Sequence, residues 1–277
     1  MKTRSSLRAV AAVVFSVAAL GLIGCGSRQV GVDASQGSVW QPAPETTWQW
    51  QLSGGAIRQD VDAQVFDIDL FDSPASVVAS LHAKGRKVIA YISAGSYENW
   101  RPDKSKFLAH PEVLGKNYAG WAGERWVDIR RLDILGPIMK ARMDRAKRKG
   151  FDALEPDNID GYQNDTGFPL TYADQITYNT FLARAAHARG LSIGLKNDPD
   201  QVGDLLSHFD WALVEDCFAD KFSGQLTPFI AAGKAVFAAE YTDTGITRGK
   251  FCPKAKTLRF SAILKHRNLD AWRRTCP

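Results

Sequence analysis

The feature of this sequence that most constrains its fold is a repeated pattern: a helix-like stretch ends at a glycine, and a short apolar run follows. The glycines are Gly85, Gly150, Gly190 and Gly233, and the runs cover residues 88–92, 152–155, 192–196 and 235–240. Glycine closes a helix readily because it adopts a positive φ without strain. Continuous apolar runs are typical of parallel strands that are buried on both faces. The pattern therefore predicts alternating helices and parallel strands.

Eight candidate strands can be counted along the chain. They cover residues 48–52, 65–69, 88–93, 152–155, 192–196, 211–215, 235–241 and 260–264. Eight such units can close into a barrel. The alternative is an open doubly wound sheet, but no glycine-rich phosphate-binding turn follows any strand. We therefore predict an α/β fold with one (β/α)8 TIM barrel, and we interpret residues 126–129 as part of a loop insertion.

Two helix starts can be read from local side chains. Thr171 and Asp174 have the spacing of a capping box, in which each side chain accepts a hydrogen bond from the other residue's backbone. Ser73 followed by Pro74 predicts a second start, with the serine as the capping residue. Both starts precede stretches with helical spacing of apolar residues.

The first 25 residues have the layout of an export signal. Lys2, Arg4 and Arg8 precede an apolar, acid-free run over residues 9–23, which is short for a membrane-spanning helix. The run ends in Leu22-Ile23-Gly24-Cys25, which resembles a bacterial lipobox, so Cys25 is the expected lipidation site. An ordinary signal peptide cleaved nearby is the alternative. We expect an exported protein, either a cell-envelope lipoprotein anchored to the outer membrane through its lipid or a secreted protein.

The remaining chain divides by composition. Residues 26–45 are rich in Gly, Ser, Gln, Ala and Pro and predict a flexible tether, and residues 46–277 are the expected barrel domain. The net charge is +5, of which the signal carries three positive charges, so the mature chain has no nucleic-acid-binding signature. Apart from Cys25, the three cysteines allow at most one disulfide, and Cys252 with Cys276 is the preferred pair.

Polar side chains accumulate where the predicted strands end. They include Asp67, Asp69, Tyr91, Asp157, Asp160, Lys196, Asn197, Glu215 and Glu240. A barrel gathers the carboxyl ends of its strands at one mouth. Carboxylates from different strands are what glycoside hydrolysis needs, because one group must donate a proton while another stays ionised.

Other chemistries find less support in the sequence. Asp157, Asp160 and Asp165 could be read as a calcium loop, but the glycine and glutamate of an EF-hand are missing from their places. No nucleophile elbow, paired-histidine zinc motif or phosphate-binding loop is present. We expect neither a metal ion nor a cofactor.

Several motifs together resemble glycoside hydrolase family 114. They are Trp48-Gln49-Trp50-Gln51-Leu52, Asp67-Ile68-Asp69, Tyr91-Ile92-Ser93-Ala94-Gly95, Glu155-Pro156-Asp157-Asn158-Ile159-Asp160-Gly161-Tyr162, Glu215-Asp216-Cys217-Phe218 and Glu240-Tyr241-Thr242-Asp243. The resemblance implies endo-α-1,4-polygalactosaminidase activity on a (β/α)8 barrel without a cofactor. It also implies that Asp157 and Glu215 are the catalytic carboxylates.

Within this resemblance, Glu215 is the expected proton donor and Asp157 the ionised partner. The non-catalytic alternative is that Asp157 caps a loop and that Glu215 pairs with Lys196. The expected substrate-binding residues are Asp67, Tyr91, Asp160, Lys196, Asn197 and Glu240. Relatives often carry a second cysteine where Ser223 stands here, so Cys217 is expected to be unpaired.

A polymer of galactosamine is a physically reasonable partner, because free amines are largely cationic near neutral pH and an acidic mouth attracts cations. Trp48, Trp50, Trp100 and Trp121 are candidate platforms for sugar rings. Two alternatives stay open at this point. The chain could be a carbohydrate-binding barrel without catalysis, or a hydrolase of another α-linked glycan.

Overall fold

The computed structural model describes residues 39–277, which lie in one compact unit. The predicted signal, the lipidation site at Cys25 and the first part of the tether lie outside the described residues. The end of the predicted tether already contacts the barrel, since the Ala235 amide donates to the Pro42 carbonyl and Glu45 pairs with Arg259. No helix within residues 39–277 is long and apolar enough to cross a membrane.

The main sheet has nine strands, eight of which are parallel and follow one another in chain order. In sheet order they are β1 Trp48–Gln51, β2 Val65–Asp69, β3 Lys87–Ser93, β7 Ala153–Asp157, β8 Ser192–Lys196, β9 Trp211–Glu215, β10 Val236–Tyr241, β11 Ser261–Lys265 and β12 Arg273–Thr275. The eight parallel strands confirm the predicted barrel. Strand β12 was not predicted and runs antiparallel to β11.

The segment that leads into β12 closes the barrel between its first and last parallel strands. The Leu52 amide donates to the Leu269 carbonyl at 2.9 Å, and the Trp48 indole donates to the Ser261 carbonyl at 2.7 Å. The Arg273 guanidinium also donates to the Trp48 carbonyl. These contacts link the two ends of the sheet through side chains and a loop instead of a complete strand ladder.

Seven α-helices are present in the described residues. They are α1 Ala75–Ala83, α2 Lys104–Leu108, α3 Leu132–Lys149, α4 Tyr172–His187, α5 Val202–Leu205, α6 Thr227–Ala231 and α7 Arg248–Thr257. The capping box of Thr171 and Asp174 is confirmed at the start of α4. The predicted Ser73 cap is wrong, because α1 begins after Pro74 without a side-chain cap hydrogen bond. Gly150 ends α3 at a φ of 91°, as its role in the repeat requires.

The insertion between β3 and α3 contains a second sheet. Its strands are β4 Ser96–Glu98, β5 Leu114–Asn117 and β6 Glu124–Val127, and β6 lies in the middle with antiparallel partners on both sides. The interpretation of residues 126–129 as loop was therefore wrong in part. Strands of three or four residues carry little periodicity, so only their pairing reveals them.

Apolar side chains form two clusters. The larger lies between the barrel strands and the helices, and the smaller fills the barrel interior. Trp48 and Trp50 belong to the interior cluster and are each 1% exposed, with their ring centroids 5.7 Å apart. The expected role of Trp48 as a sugar platform is therefore corrected, because its ring is packed inside the barrel and does not line the cavity described below, whereas Trp50 does line that cavity.

The cysteines follow the expected arrangement. Cys252, in α7, forms a disulfide with Cys276. Cys217 is buried and is the free cysteine of the described part of the chain. The Ser223 amide donates to the Cys217 carbonyl, so these two residues are neighbours even though no second cysteine is there to form a bond.

Candidate active site

A cavity of about 530 Å³ opens at the carboxyl ends of the barrel strands. Its charged lining consists of Asp69, Asp72, Glu98, Arg101, Glu124, Asp157, Asp160, Lys196, Glu215 and Arg267, and its aromatic lining consists of Trp50, Tyr91, Trp100, Tyr118, Trp121 and Tyr241. Seven carboxyl groups against three cations make this mouth acidic, as the strand ends predicted. Asn197 also lines the cavity.

Three neighbouring strands deliver their side chains to this cavity in the same way. Strands β7, β8 and β9 end at Asp157, Lys196 and Glu215. The next residues, Asn158, Asn197 and Asp216, have φ values of 63°, 47° and 53°. Asn and Asp tolerate this left-handed conformation better than other residues with a side chain. The chain therefore turns sharply just after each functional side chain.

Lys196 lies between the two candidate catalytic carboxylates. Its Nζ is 3.2 Å from Asp157 Oδ1 and 3.3 Å from Glu215 Oε2, and it donates to Glu155 Oε1 at 2.6 Å. The side chain is 1% exposed, and Nζ also lies 4.6 Å from the centroid of the Trp50 ring. Burial lowers the pKa of Lys196, but the three surrounding carboxylates outweigh it and raise the pKa well above its ordinary value. Lys196 also lines the cavity, as expected of a substrate-binding residue, and its described partners there are the carboxylates.

Glu215 is surrounded by hydrogen-bond donors. Tyr241 Oη donates to Oε1, Asn197 Nδ2 donates to Oε2 at 2.8 Å, and the Glu215 amide donates back to Asn197 Oδ1 at 2.9 Å. Burial acts to raise the pKa of Glu215, but the Lys196 cation and these donors lower it below its ordinary value. The free site therefore favours the ionised form of Glu215, which does not support its expected role as proton donor.

Asp157 is also held from two sides. Tyr91 Oη donates to Oδ2 at 2.9 Å, while Oδ1 faces Lys196. Burial and the charge of Asp157 raise the pKa of Tyr91 well above its ordinary value, so the phenol keeps its proton and remains a donor. Tyr91 thus orients Asp157 and also lines the cavity.

A second carboxyl pair lies beneath Lys196. Asp67 and Glu155 are both fully buried, and Asp67 lies close enough to feel the charge of Glu155. Both oxygens of Asp67 and Oε2 of Glu155 receive no N–H or O–H donor from the described residues. Two ionised carboxylates would repel each other there, which favours the protonated form of Asp67. Burial, followed by the charge of Glu155, raises the pKa of Asp67 well above its ordinary value.

Two of the expected substrate-binding residues lie outside the cavity lining. Asp67 points into the barrel interior below Lys196, and Glu240 accepts hydrogen bonds from the amides of Phe218 and Ala219. Both side chains are fully buried. The structure therefore corrects their expected role: Asp67 supports the charge network, and Glu240 fixes the loop after β9.

Asp160 does line the cavity, as expected of a substrate-binding residue. Its carboxylate accepts from Asn164 Nδ2 at 3.2 Å. Burial and the nearby charge of Asp157 raise its pKa to about 6. By contrast, Asp165 from the alternative calcium reading forms an exposed ion pair with Lys116. Among residues 39–277, no group of three or more His, Cys, Asp or Glu side chains is arranged to hold a metal ion.

The insertion supplies an acidic cavity residue that was not predicted, Glu124 from β6. Tyr118, from the turn before β6, also lines the cavity. Trp100 and Trp121 are 47% and 54% exposed and line the cavity, as the platform hypothesis expected of them. Glu124 could have been suspected only by its nearness to these aromatic residues in sequence, since its strand was not recognised.

Comparison with known proteins relates this chain to glycoside hydrolases, both by sequence and by fold. The model of glycoside-hydrolase family GH114 matches residues 31–277. The crystal structure of Aspergillus fumigatus Ega3 in complex with galactosamine superposes with a TM-score of 0.81 at 42% identity, covering 86% of this chain and 97% of that one. The glycoside hydrolase domain of PelA from Pseudomonas aeruginosa shares the fold, with a TM-score of 0.64 at 14% identity over 84% of this chain and 98% of that one.

An uncharacterised protein of Deinococcus radiodurans is 26% identical over 254 residues, which is 80% of this chain and 81% of its own. The family match covers the whole barrel, including every strand that delivers a residue to the cavity. The chain therefore belongs to glycoside hydrolase family GH114 and is an O-glycosyl hydrolase.

Proposed function

We propose that this protein hydrolyses α-1,4-linked, galactosamine-containing polysaccharide at bonds within the polymer. The observation that carries the proposal is the match over 97% of a relative whose structure was solved with galactosamine. The acidic lining of the cavity is consistent with a cationic amino-sugar polymer, because carboxylates attract protonated amines. The exposed Trp100 and Trp121 offer flat apolar faces on which sugar rings can pack.

We propose Asp157 and Glu215 as the catalytic carboxylates. Both line the cavity, and they share the Lys196 cation. In such a pair, one group protonates the departing glycosidic oxygen while the other attacks the anomeric carbon or activates water. Lys196, Tyr91, Tyr241 and Asn197 orient the two groups. The non-catalytic alternative, in which Glu215 only pairs with Lys196, does not explain why Asp157 lines the cavity.

The spacing of the pair favours retention of anomeric configuration. Asp157 Oδ1 and Glu215 Oε2 lie 3.2 and 3.3 Å from the same nitrogen, so they are at most ~6.5 Å apart. Retaining enzymes place their carboxyl groups about 5 to 5.5 Å apart, and inverting enzymes about 6.5 to 9.5 Å. The upper limit only reaches the lower edge of the inverting range. NMR of the first product in D2O tests this directly: the α-anomer is expected, and initial release of the β-anomer would contradict retention.

We further propose that the protein is exported and held at the cell envelope through a lipid on Cys25. The sequence of the first 25 residues supports this, and a polymer substrate is most accessible outside the cell. Mass spectrometry of the N-terminal peptide from membrane fractions provides the test. A diacylated or triacylated Cys25 is expected, whereas an unmodified N-terminus elsewhere would favour the secreted form.

The activity is tested by incubating the barrel domain with purified α-1,4-galactosamine polymer and following oligosaccharide release by mass spectrometry. Internal fragments are expected from the parent, and at least about a hundredfold slower release from Asp157→Asn and Glu215→Gln. Asp165→Asn is the matched control, because it removes an exposed carboxylate from a neighbouring loop. Polymer that binds but stays intact with the parent would leave the binding-only alternative standing.

The roles of Asp157 and Glu215 can be distinguished with a substrate that carries an activated leaving group, such as a nitrophenyl α-galactosaminide oligomer. The variant that lacks the proton donor should retain much of its rate on this substrate, because such a leaving group needs no protonation. The variant that lacks the nucleophile should be slow on both the activated substrate and the polymer. Added azide should restore turnover to the variants, and the product should then be a glycosyl azide.

A further inference from the structure

Glu124 is a cavity acid that the proposed catalytic pair does not use. It lies at the start of β6, is 6% exposed and lines the same cavity as Asp157. Its Oε1 accepts from Asn158 Nδ2 at 2.9 Å and from Ser96 Oγ. Because Asn158 directly follows Asp157 in the chain, these bonds fix Glu124 relative to the catalytic pair.

The other oxygen of Glu124 is unpaired. Within residues 39–277, Oε2 forms neither a hydrogen bond nor an ion pair, although the side chain is nine-tenths buried. Five other cavity acids have a cation: Asp157 and Glu215 share Lys196, and Asp69, Asp72 and Glu98 share Arg101. A buried carboxylate without a cation is costly, so a cationic group from outside the protein is its natural partner.

The surroundings of Glu124 suit an amino sugar. The Tyr118 amide donates to the Glu124 carbonyl at 2.9 Å, and the Glu124 amide donates to the Trp121 carbonyl at 3.2 Å. One tight turn therefore carries a buried carboxylate and two cavity-lining aromatic rings. Burial and the charge of Asp157 raise the pKa of Glu124 to about 7.

We propose that Glu124 is a specificity-determining residue that binds the C2 ammonium group of a galactosaminyl unit next to the cleaved bond. This proposal rests on the proposed function. The ammonium group donates to Oε2, while Oε1 remains held by Asn158 and Ser96. N-acetylation replaces this cation with a neutral, bulkier amide, which loses the ion pair. The insertion thus selects deacetylated units, whereas the strands β7 and β9 perform the cleavage.

The test uses a partially N-acetylated α-1,4-galactosamine polymer and sequences both ends of the products by mass spectrometry. With the parent, the unit on one side of each cut should be galactosamine and not N-acetylgalactosamine. Glu124→Gln keeps an oxygen for Asn158 and Ser96 but removes the charge. Glu124→Gln should lower kcat/KM on fully deacetylated polymer about ten- to hundredfold, chiefly through KM. It should also abolish the preference for galactosamine over N-acetylgalactosamine at that end of the products, which we call the bias.

Glu112→Gln is the control, because Glu112 lies in the same insertion but is exposed and outside the cavity. It should keep both the rate and the bias of the parent. Circular dichroism and thermal unfolding verify that both variants are folded. If Glu124→Gln is unfolded, raising the salt concentration with the parent is the second measurement, and it should weaken the bias at the same end.

The outcomes separate the two proposals. Cleavage by the parent without any bias, or an unchanged bias in folded Glu124→Gln, would overturn the role of Glu124 and leave the hydrolase function intact. Absence of cleavage of every galactosamine polymer by the parent would refute the proposed function itself. An equal loss of rate on acetylated and deacetylated polymer would mean that Glu124 acts on catalysis and not on selection.

Discussion

Replacing Lys196 with methionine should destabilise the protein in a pH-dependent way. Methionine fills most of the volume but leaves Glu155, Asp157 and Glu215 without the cation that lies 2.6 to 3.3 Å from each of them. Removing one partner of a buried ion pair typically costs about 3 to 5 kcal/mol. Domain stabilities of roughly 5 to 15 kcal/mol can absorb such a loss, so we expect a folded variant.

The pH dependence of the unfolding free energy follows from the direction in which the pKa values of the carboxyl groups change when Lys196 is lost. Without Lys196, the carboxyl groups of Glu155 and Glu215 should have folded-state pKa values above their unfolded values. The stability they confer is then complete below the unfolded value of about 4.3 and is lost as the pH rises through the folded values. We expect a small deficit in unfolding free energy at about pH 4.5 and the full deficit at about pH 7.5, measured by urea unfolding.

Lys116→Met is the matched control for the Lys196 variant. Lys116 forms an exposed ion pair with Asp165, so its loss should change stability by less than about 1 kcal/mol at either pH. A deficit for Lys196→Met below about 1 kcal/mol at neutral pH would refute the reasoning, as would a large deficit that is the same at both pH values.

Two further predictions concern stability. Replacing Cys252 and Cys276 with alanine opens a loop whose ends are 24 residues apart, which should cost about 3.5 kcal/mol of unfolding free energy, and an unchanged urea midpoint would contradict this. Asp67→Asn supplies an amide donor to Glu155 without needing a proton. Since the raised pKa of Asp67 makes the parent less stable as the pH rises above its unfolded value of about 3.9, this variant should gain melting temperature relative to the parent as the pH rises. Asp62→Asn, an exposed control, should follow the parent, and parallel curves for all three proteins would rule out a protonated Asp67.

Much of the barrel could be predicted because its signals are local. A glycine that ends a helix and an apolar strand that follows it are neighbours in the sequence, as at Gly150 and β7. The small sheet of the insertion could not be predicted, since strands such as Ser96–Glu98 are too short to show periodicity. Trp48 was misplaced because sequence does not tell whether a strand side chain faces the barrel interior or its mouth.

In the candidate site, too, some residues could be predicted from the sequence and others could not. Asp69, Asp157, Lys196, Glu215 and Tyr241 are the last residues of their strands, and all of them reach the cavity. Asp67 and Glu240 lie one or two residues earlier and do not. A shift of one residue turns a strand side chain to the opposite face, and a shift of two moves it one layer deeper. Exact strand ends are therefore needed, and these are the least reliable part of a sequence-based prediction.

The number of barrel strands, the family and the residue types that gather at the strand ends could all be inferred from the amino-acid sequence. The placement of Lys196 between Asp157 and Glu215, the burial of Asp67 near Glu155 beneath it, and the reach of Glu124 from the insertion into the cavity depend on the folded chain. The physical reason is that charge interactions depend on distances of a few ångströms. Such distances arise between residues tens of positions apart in the chain, and they are fixed only when strand register and barrel closure bring those residues together.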